Sequence, residues 1–460
     1  MLQVFQAFDR ELIAEIETDD EASLDRKLST ASEAFADRTS WLEPHERIAI
    51  LRKVADSLDS QKDAFALMIA REGGKPLRDA AAEVVRAVDG VRNAADELRT
   101  FAGREIPMGL SPASTNRWAF TTKEPIGVVA AISAFNHPLN LIVHQVVPAI
   151  ATGCPVIVKP ADRTPLSCLE FVKLVHEAGL PEAWCQTLIT ADTALAESLA
   201  TSPRIAFLSF IGSARVGWYL HSKLAPGVRS ALEHGGAAPA IIDRSADLEA
   251  VLDPLVRGGF YHAGQVCVST QRVYVHDAVF QEMADRLIAK VSSLQTGDPT
   301  FEKTDVGPLI TPREVDRVAD WVAEAVASSV APAVGGTRLS KTLFEPTILL
   351  DPAPDVRVSR EEIFGPVMAL YRYKDLSDAL ARANSLPVAF QASIFAQDLD
   401  VALSAAHGLE ASAVMVNDAT TFRTDWMPFA GRRVSGYGTG GIGYTMQDMT
   451  HEKMIILRRR

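Results

Sequence analysis

A chain of 460 residues, 47% apolar and 23% charged, has material for large hydrophobic cores and a length that allows about three ordinary domains. Its formal net charge of −12 is spread without long acidic or basic blocks, which counts against nucleic acid or an anionic membrane as partner and favours a small-molecule enzyme. Four cysteines without a CxxC pair or regular spacing argue against a disulfide framework or a metal site. No apolar run reaches the roughly 18 residues of a membrane span, so a soluble cytoplasmic protein is expected.

In chain order, the first hundred residues read as helix after helix: EASLDRKLSTASEAFADR, then EPHERIAILRKVADSLDSQKDAFALMIAREGGK, then LRDAAAEVVRAVDGVRNAADELRTFAG. Gly73 and Gly74 are a natural stop. TNRWAFTTKEPIGVVAAI, rich in Thr, aromatic and β-branched residues, predicts strands. From there to about residue 235 short apolar strands (GVVAAIS, PVIVK, WCQTLI, RIAFLSF) alternate with helical stretches, the pattern of a parallel sheet covered on both faces. In the helix at 164–178 the expected buried stripe is Leu166, Leu169, Val172 and Val175. A second α/β series follows, with strands APAIID, RVYVH, FEPTILL and EEIFGPVMALYRY and helices from Asp247 to His262, over AVFQEMADRLIAKVSSL, and near 376–384 and 399–408. Two such layers predict a binding crevice between them at the carboxyl ends of their strands.

GTGGIG at Gly438–Gly443 fits GxGxxG, but only 17 residues follow it, too few for the βαβ unit that gives that motif its chemistry. More informative residues fall at the predicted strand ends. Asn136 in FNHPLN offers a side-chain amide suited to an oxyanion, or is a turn former. Lys159 and Asp162 in VIVKPADRTP suit a ribose diol, or are a solvated lysine and a helix cap. Gly212 and Ser213 in SFIGSARVG lie before a helix whose free N–H groups can receive a pyrophosphate, or form a capped turn. Glu233 in ALEHGG can be a buried general base or a surface carboxylate.

Cys267 in AGQVCVSTQR stands apart from Cys154, Cys168 and Cys185, which sit in apolar runs. Gly264 permits a sharp exit from the preceding helix, so Cys267 is placed on a loop facing the crevice, where a thiolate can act as nucleophile. Gln265 has no assignment from its neighbours.

Seven stretches in this order, FNHPLN, VIVKPADRTP, IGSARVG, LEHGG, GQVC, EEIFGPV and PFAG, resemble the NAD(P)-dependent aldehyde dehydrogenase superfamily along nearly the whole chain. The resemblance implies an aldehyde dehydrogenase-like α/β fold with two parallel-sheet domains and a small β oligomerisation arm. Residues 1–106 and 125–235 would be the cofactor-binding domain, 236–428 the catalytic domain, and 107–124 with 445–460 the arm. It further implies Cys267 as nucleophile, Glu233 as base, and Asn136 with the Cys267 N–H as oxyanion donors. Lys159 and Asp162 would hold the adenosine ribose, Gly212 and Ser213 the pyrophosphate, and Glu362 and Phe364 the nicotinamide riboside. A homodimer or homotetramer is expected.

The C-terminal stretch WMPFAGRRVSGYGTGGIGYTMQDMTHEKMIIL is most similar to the branch acting on lactaldehyde, glyceraldehyde 3-phosphate without phosphorylation, and phosphonoacetaldehyde. A small polar aldehyde, anionic in several of those cases, is therefore expected, with Arg86, His137 and Arg423 as candidate substrate residues. Val266 beside the nucleophile, where arginine is absent, weakens the case for a phosphorylated substrate. Asp162 favours NAD over NADP, because a carboxylate repels a 2′-phosphate. Several positions depart from the family pattern: His234 where an apolar residue is common, Ala237 for lysine, His262 for asparagine, Ala430 in PFAG, and PVAFQAS at 387–393. The alternatives are a CoA-acylating relative, which would not need Glu233, and a catalytically idle scaffold.

Overall fold

The structure, a computed structural model, describes residues 1–328 and 331–459. Ser329, Val330 and Arg460, which fall in the expected catalytic domain and arm, lie outside the described residues. The chain opens with a hairpin, β1 (Leu2–Phe5) against β2 (Leu12–Ile16), and not with a helix. Its signal is short: Leu2 and Val4 are buried while Gln3 faces out, a period of two over only four residues. Helices α1 (Glu21–Ala36), α2 (Pro44–Ser60), α3 (Lys62–Gly73) and α4 (Leu77–Glu97) follow. Residues 43–75, predicted as one helix, are broken at Gln61, whose ψ of 16° leaves the helical range. The break lets α2 and α3 both pack on α4.

Next come β3 (Glu105–Ile106), β4 (Arg117–Pro125), β5 (Val129–Ile132), α5 (Asn140–Thr152), β6 (Val156–Lys159) and α6 (Leu166–Glu177). They are followed by β7 (Cys185–Thr187), α7 (Thr193–Thr201), β8 (Phe207–Ile211), α8 (Ala214–Ser222) and β9 (Arg229–Glu233). The second series is β10 (Ala238–Ile242), α9 (Leu248–Phe260), β11 (Thr270–His276), α10 (Phe280–Ser292), α11 (Pro312–Ser328), β12 (Thr347–Leu350), α12 (Arg357–Arg360) and β13 (Val367–Tyr373). It continues through α13 (Leu376–Ala383), β14 (Val388–Ala389), β15 (Gln391–Phe395), α14 (Leu399–Gly408) and β16 (Ala413–Val416). The chain closes with β17 (Arg432–Arg433), β18 (Gly436–Tyr437), α15 (Ile442–Asp448) and β19 (Thr450–Arg458).

One six-stranded sheet has the order β18-β9-β8-β5-β6-β7, parallel except for the β18 edge; a second, β12-β13-β11-β10-β15-β16, is parallel throughout. Each has its own apolar core. β19, β4 and β3 form a separate three-stranded sheet, and α15 packs on α4 and α5 before β19 begins. In α6 the buried stripe turns out to centre on Cys168, Phe171, Val172, Leu174 and Val175, while Leu166 and Leu169 are half-buried. The reason is its docking against the helical layer as well as the sheet, which widens the covered face.

The crevice differs from the expected form. The first sheet does meet it with carboxyl ends: Asn136 lies beyond β5 and Gly212 beyond β8, while Glu233 closes β9. The second sheet contributes loops that enter its strands, with Gly235 before β10, Cys267 before β11, and Glu362 and Phe364 before β13. Connectivity is the cause, since a helix such as α9 carries the chain back to the start of the next parallel strand.

Glu72 fixes the helix after the Lys159–Asp162 turn. Its buried carboxylate accepts the N–H groups of Leu166 (2.8 Å) and Ser167 (2.9 Å) in the first turn of α6, and the Ser167 hydroxyl as well. Burial pushes this carboxyl up to about 7, against the pull of those donors. A group raised in the folded state stabilises fully below its ordinary 4.5, and that contribution is lost as the pH climbs through 7. Glu72→Gln, which cannot ionise, should therefore gain on the wild type across that window, by at most about 3 kcal/mol. Denaturation at a series of pH values checks this; a pH-independent difference would contradict it.

Candidate active site

A cavity of about 640 Å³ lies between the two large sheets and gathers Asn136, His137, Gly212, Ser213, Glu233, Cys267, Glu362, Phe364, Arg86 and Arg423. Lys159 and Asp162 do not line it; Ala161 between them does. Lys159 is half-buried at the end of β6, and Asp162 lies 3.6 Å from the Arg163 guanidinium and caps no helix. Cys154, Cys168 and Cys185 are buried, whereas Cys267 is partly accessible.

The loop carrying Cys267 is shaped by backbone strain. His262, Ala263 and Gly264 all have positive φ (48°, 53° and 70°), a left-handed turn that only the glycine adopts without penalty. A Cβ on Gly264 would collide with the Gly365 carbonyl, so the turn before β13 and the Cys267 loop interlock. Phe364 itself sits at φ 46°. Gln265, unassigned from sequence, is the anchor. Its Nε2 donates to the carbonyls of Pro308 (3.2 Å) and His262 (3.3 Å), its Oε1 accepts from Ile310 N (2.9 Å), and its own carbonyl accepts from Asn136 Nδ2 at 2.9 Å. That bond uses one of the two amide hydrogens of Asn136 and leaves the other available. Val266 and Val268 pack with Phe390 and Phe429 under Cys267 and Tyr261.

Three acids meet here. Burial pushes the Cys267 thiol well above its ordinary value, Glu233 and Glu362 push the same way, and Arg423 and the cysteine's own N–H oppose them. Burial raises Glu233, opposed by Arg423 and Arg86. Glu362, whose Oε1 accepts the Gly236 N–H at 3.1 Å, is pushed up to about 8, again by burial.

The arginines differ. Arg86 points inward and not to solvent: its guanidinium forms a two-point pair with Asp425, 2.8 Å from Oδ1 and 3.3 Å from Oδ2. Asp425 also accepts from Asn140 Nδ2 (3.1 Å) and from His144 Nε2 (2.7 Å), and although burial resists it, His144 and both arginines hold it well below the carboxylate range. Burial lowers His144 to about 4, so its ring is neutral and Nε2 carries the hydrogen. Arg423 lies over the Phe429 ring at 3.5 Å, and among the described residues its Nε is buried without a hydrogen-bond partner. His137 is buried and stacked on Tyr261, and burial together with the cations around it holds its ring neutral. Sequence reading passed over Asp425, His144 and Asn140; the signal for Asp425 was its place two residues after Arg423 in TFRTDW.

Such a site, a half-buried cysteine with a carboxylate and an amide between two parallel-sheet layers, holds the groups that covalent nucleophilic catalysis uses. The aldehyde dehydrogenase family model matches residues 1–455, and the chain belongs to that family, the NAD(P)-dependent oxidoreductases of aldehydes. It is 36% identical over 457 residues to a 3-sulfolactaldehyde dehydrogenase of Priestia aryabhattai, covering 99% of this chain and 94% of that one. Its structure is similar to aldehyde dehydrogenase 21 from Physcomitrella patens in complex with the reaction product succinate (TM-score 0.96, 34% identity, 100% and 95% of the two chains). It is also similar to glyceraldehyde-3-phosphate dehydrogenase from Methanocaldococcus jannaschii complexed with NADP (TM-score 0.95, 32% identity, 100% and 99%).

Removing Asp425 leaves Arg86 without its partner beside a neutral histidine. Asp425→Ala should lower stability by about 3 kcal/mol, the usual loss when one partner of a buried pair is deleted. Chemical denaturation measures it; a change below about 1 kcal/mol, the range of an exposed pair, would contradict the buried network.

Proposed function

We propose that this enzyme oxidises a small anionic aldehyde to its carboxylic acid, with NAD in preference to NADP. The observation that carries the reading is Arg423: its charge stands beside Cys267 and Glu233 with an unpartnered Nε, while the charge of Arg86 is taken up by Asp425. The hydrogen-bond contact that Arg423 Nη2 makes is a long one, 3.5 Å to Nδ1 of the neutral His144, so no anion is bonded to this buried guanidinium, and a substrate anion placed on it relieves the cost of its burial. The relatives agree in kind, since sulfolactaldehyde carries a sulfonate and succinate is a dicarboxylate.

In the proposed reaction Cys267 Sγ adds to the aldehyde carbon. The free hydrogen of Asn136 Nδ2 and the Cys267 N–H receive the oxyanion, an arrangement worth roughly 10²- to 10³-fold in rate per donor. A dinucleotide held at the Gly212–Ser213 turn and by Glu362 and Phe364 would supply the hydride acceptor, and loss of hydride from the adduct would leave a thioester on Cys267. Glu233 then takes a proton from water, which attacks the thioester and frees the acid. Glu233 is the reason to prefer this over CoA acylation, because thiolysis needs no such base. The retention of Cys267, Glu233 and Asn136 together argues against an idle scaffold.

The residues present fit a dinucleotide. Ser213 opens α8 without a side-chain cap, so the first N–H groups of that helix are available to a pyrophosphate, and Gly212 brings the backbone close. Glu362 and Phe364 would hold the nicotinamide riboside, and Lys159 and Asp162 the adenosine ribose. Asp162 would disfavour a 2′-phosphate, although two similar structures were solved with NADP. The β19-β4-β3 sheet leaves Trp118, Met454, Ile456 and Leu457 about half exposed, which supports a role as the arm of a homodimer or homotetramer. A cytoplasmic location completes the reading.

The test is a panel of lactaldehyde, sulfolactaldehyde, succinate semialdehyde and neutral aliphatic aldehydes, each with NAD and with NADP and without CoA. The anionic aldehydes should give the higher kcat/KM, and Arg423→Gln should cost them about 10- to 100-fold more than the neutral ones, the worth of a charge-assisted hydrogen bond. An equal loss for both classes would overturn the substrate reading, and failure to form acid without CoA would overturn the hydrolytic one.

A further inference from the structure

His234, which follows Glu233 at the end of β9, stands where an apolar residue is common in this family, and its ring is engaged in an unusual way. Its Nδ1 lies 2.9 Å from the Gly212 carbonyl. A carbonyl only accepts, so Nδ1 carries its hydrogen and donates. Burial disfavours the charged ring, which leaves Nε2 as the lone-pair nitrogen; among the described residues it is buried and has no partner. Phe210 and Trp218 wall the ring, with centroids 5.8 and 6.2 Å away. Beside Trp218 on α8, a Cβ on Gly217 would collide with the ring carbon Cε1. Gly217 is therefore the complement that admits the imidazole.

What the bond acts on is the peptide between Gly212 and Ser213. In a planar trans peptide the carbonyl and the next N–H point in opposite directions. Pinning the Gly212 carbonyl toward His234 therefore turns the Ser213 N–H away from it. The preceding peptide is tied as well, because Gly212 N donates to the Glu233 carbonyl at 3.0 Å. Glycine has no side chain to restrict its own rotation, so these two bonds decide which way the turn faces.

We propose that His234 is a positioning residue for dinucleotide binding: it locks the Gly212–Ser213 peptide so that the free N–H groups at the start of α8 face a pyrophosphate. An apolar side chain at this position cannot make the bond. The inference rests on the assignment of that turn to the dinucleotide pyrophosphate, and its test separates the two.

Calorimetric titration of the resting enzyme, without aldehyde, measures Kd for NAD, ADP-ribose and AMP in the wild type and in His234→Leu, His234→Asn and Gly217→Ala. Leucine removes the donor, asparagine offers an amide N–H near the same place, and alanine at 217 crowds the ring. His234→Leu and Gly217→Ala should weaken NAD and ADP-ribose about tenfold, the worth of one hydrogen bond. His234→Asn should recover most of that loss. AMP, which lacks the pyrophosphate, should bind all four proteins alike, and the KM for dinucleotide should rise while kcat at saturation stays within about twofold, as for a loss of uniform binding. Unchanged ADP-ribose affinity in both His234→Leu and Gly217→Ala, or an equal loss for AMP, would overturn the role of His234. A wild type that binds neither NAD nor ADP-ribose would instead overturn the assignment of the turn. Gly217→Ala favours the helix by propensity, so it reads the contact even if His234→Leu folds poorly.

Discussion

Cys267, Glu233 and Glu362 share one desolvated cavity, and acids that interact across a low-dielectric space do not all ionise together. Arg423 is the cation set against them, lowered itself by burial and raised by Glu233, Asp425 and Cys267. With Arg86 held by Asp425, the balance of Arg423 against three acids makes proton position the controlling variable. A proton that leaves the thiol is readily held on a carboxylate, and a carboxylate that has lost its own makes the thiolate harder to form. In the proposed reaction the nucleophile and the base act at different times, so the cavity never needs both charged at once. Asp425 belongs to the same constraint: by pairing Arg86 and bonding a neutral His144 and Asn140, it confines the second guanidinium to a structural pair.

Backbone geometry holds these groups in place. The left-handed turn at residues 262–264 costs roughly 1–2 kcal/mol for each non-glycine residue and persists because its surroundings fix it. Gln265 supplies much of that fixing, joining the loop to Pro308 and Ile310 on one side and to Asn136 on the other. The Asn136 loop is secured from behind, where buried Glu83 accepts the N–H groups of Leu139 and Asn140 (3.0 Å each) and pairs with Lys75. Cys267 and Asn136 are thus parts of one braced unit that spans both sheets.

Much of the α/β organisation was legible because apolar strands such as VIVK and long helices leave clear periods in the sequence. The candidate residues stood out where chemistry coincides with a predicted strand end, as at Asn136 and Glu233, or with a glycine-led loop, as at Cys267, and collinear motifs gave the family. Less was legible where partners are distant in sequence. Nothing near Arg86 announces Asp425, 339 positions away, and nothing near Gln265 announces Ile310. The hairpin at the start was hidden by its length, and the entry of the second sheet through its strand beginnings follows from connectivity that periodicity does not encode. His234 looked like a departure that clouded the pocket; its bond to Gly212 depends on the absent side chain of Gly217, a pairing that only three dimensions display.

In the proposed reaction Cys267 carries the acyl group and Glu233 releases it. Intact mass spectrometry of Glu233→Gln, mixed with an anionic aldehyde and dinucleotide and then quenched, tests it directly. The expected result is a persistent adduct with the mass of the acyl group, mapped to Cys267 and absent when Cys267→Ser is added. Turnover at the wild-type rate with no adduct, or an adduct on any other residue, would contradict it.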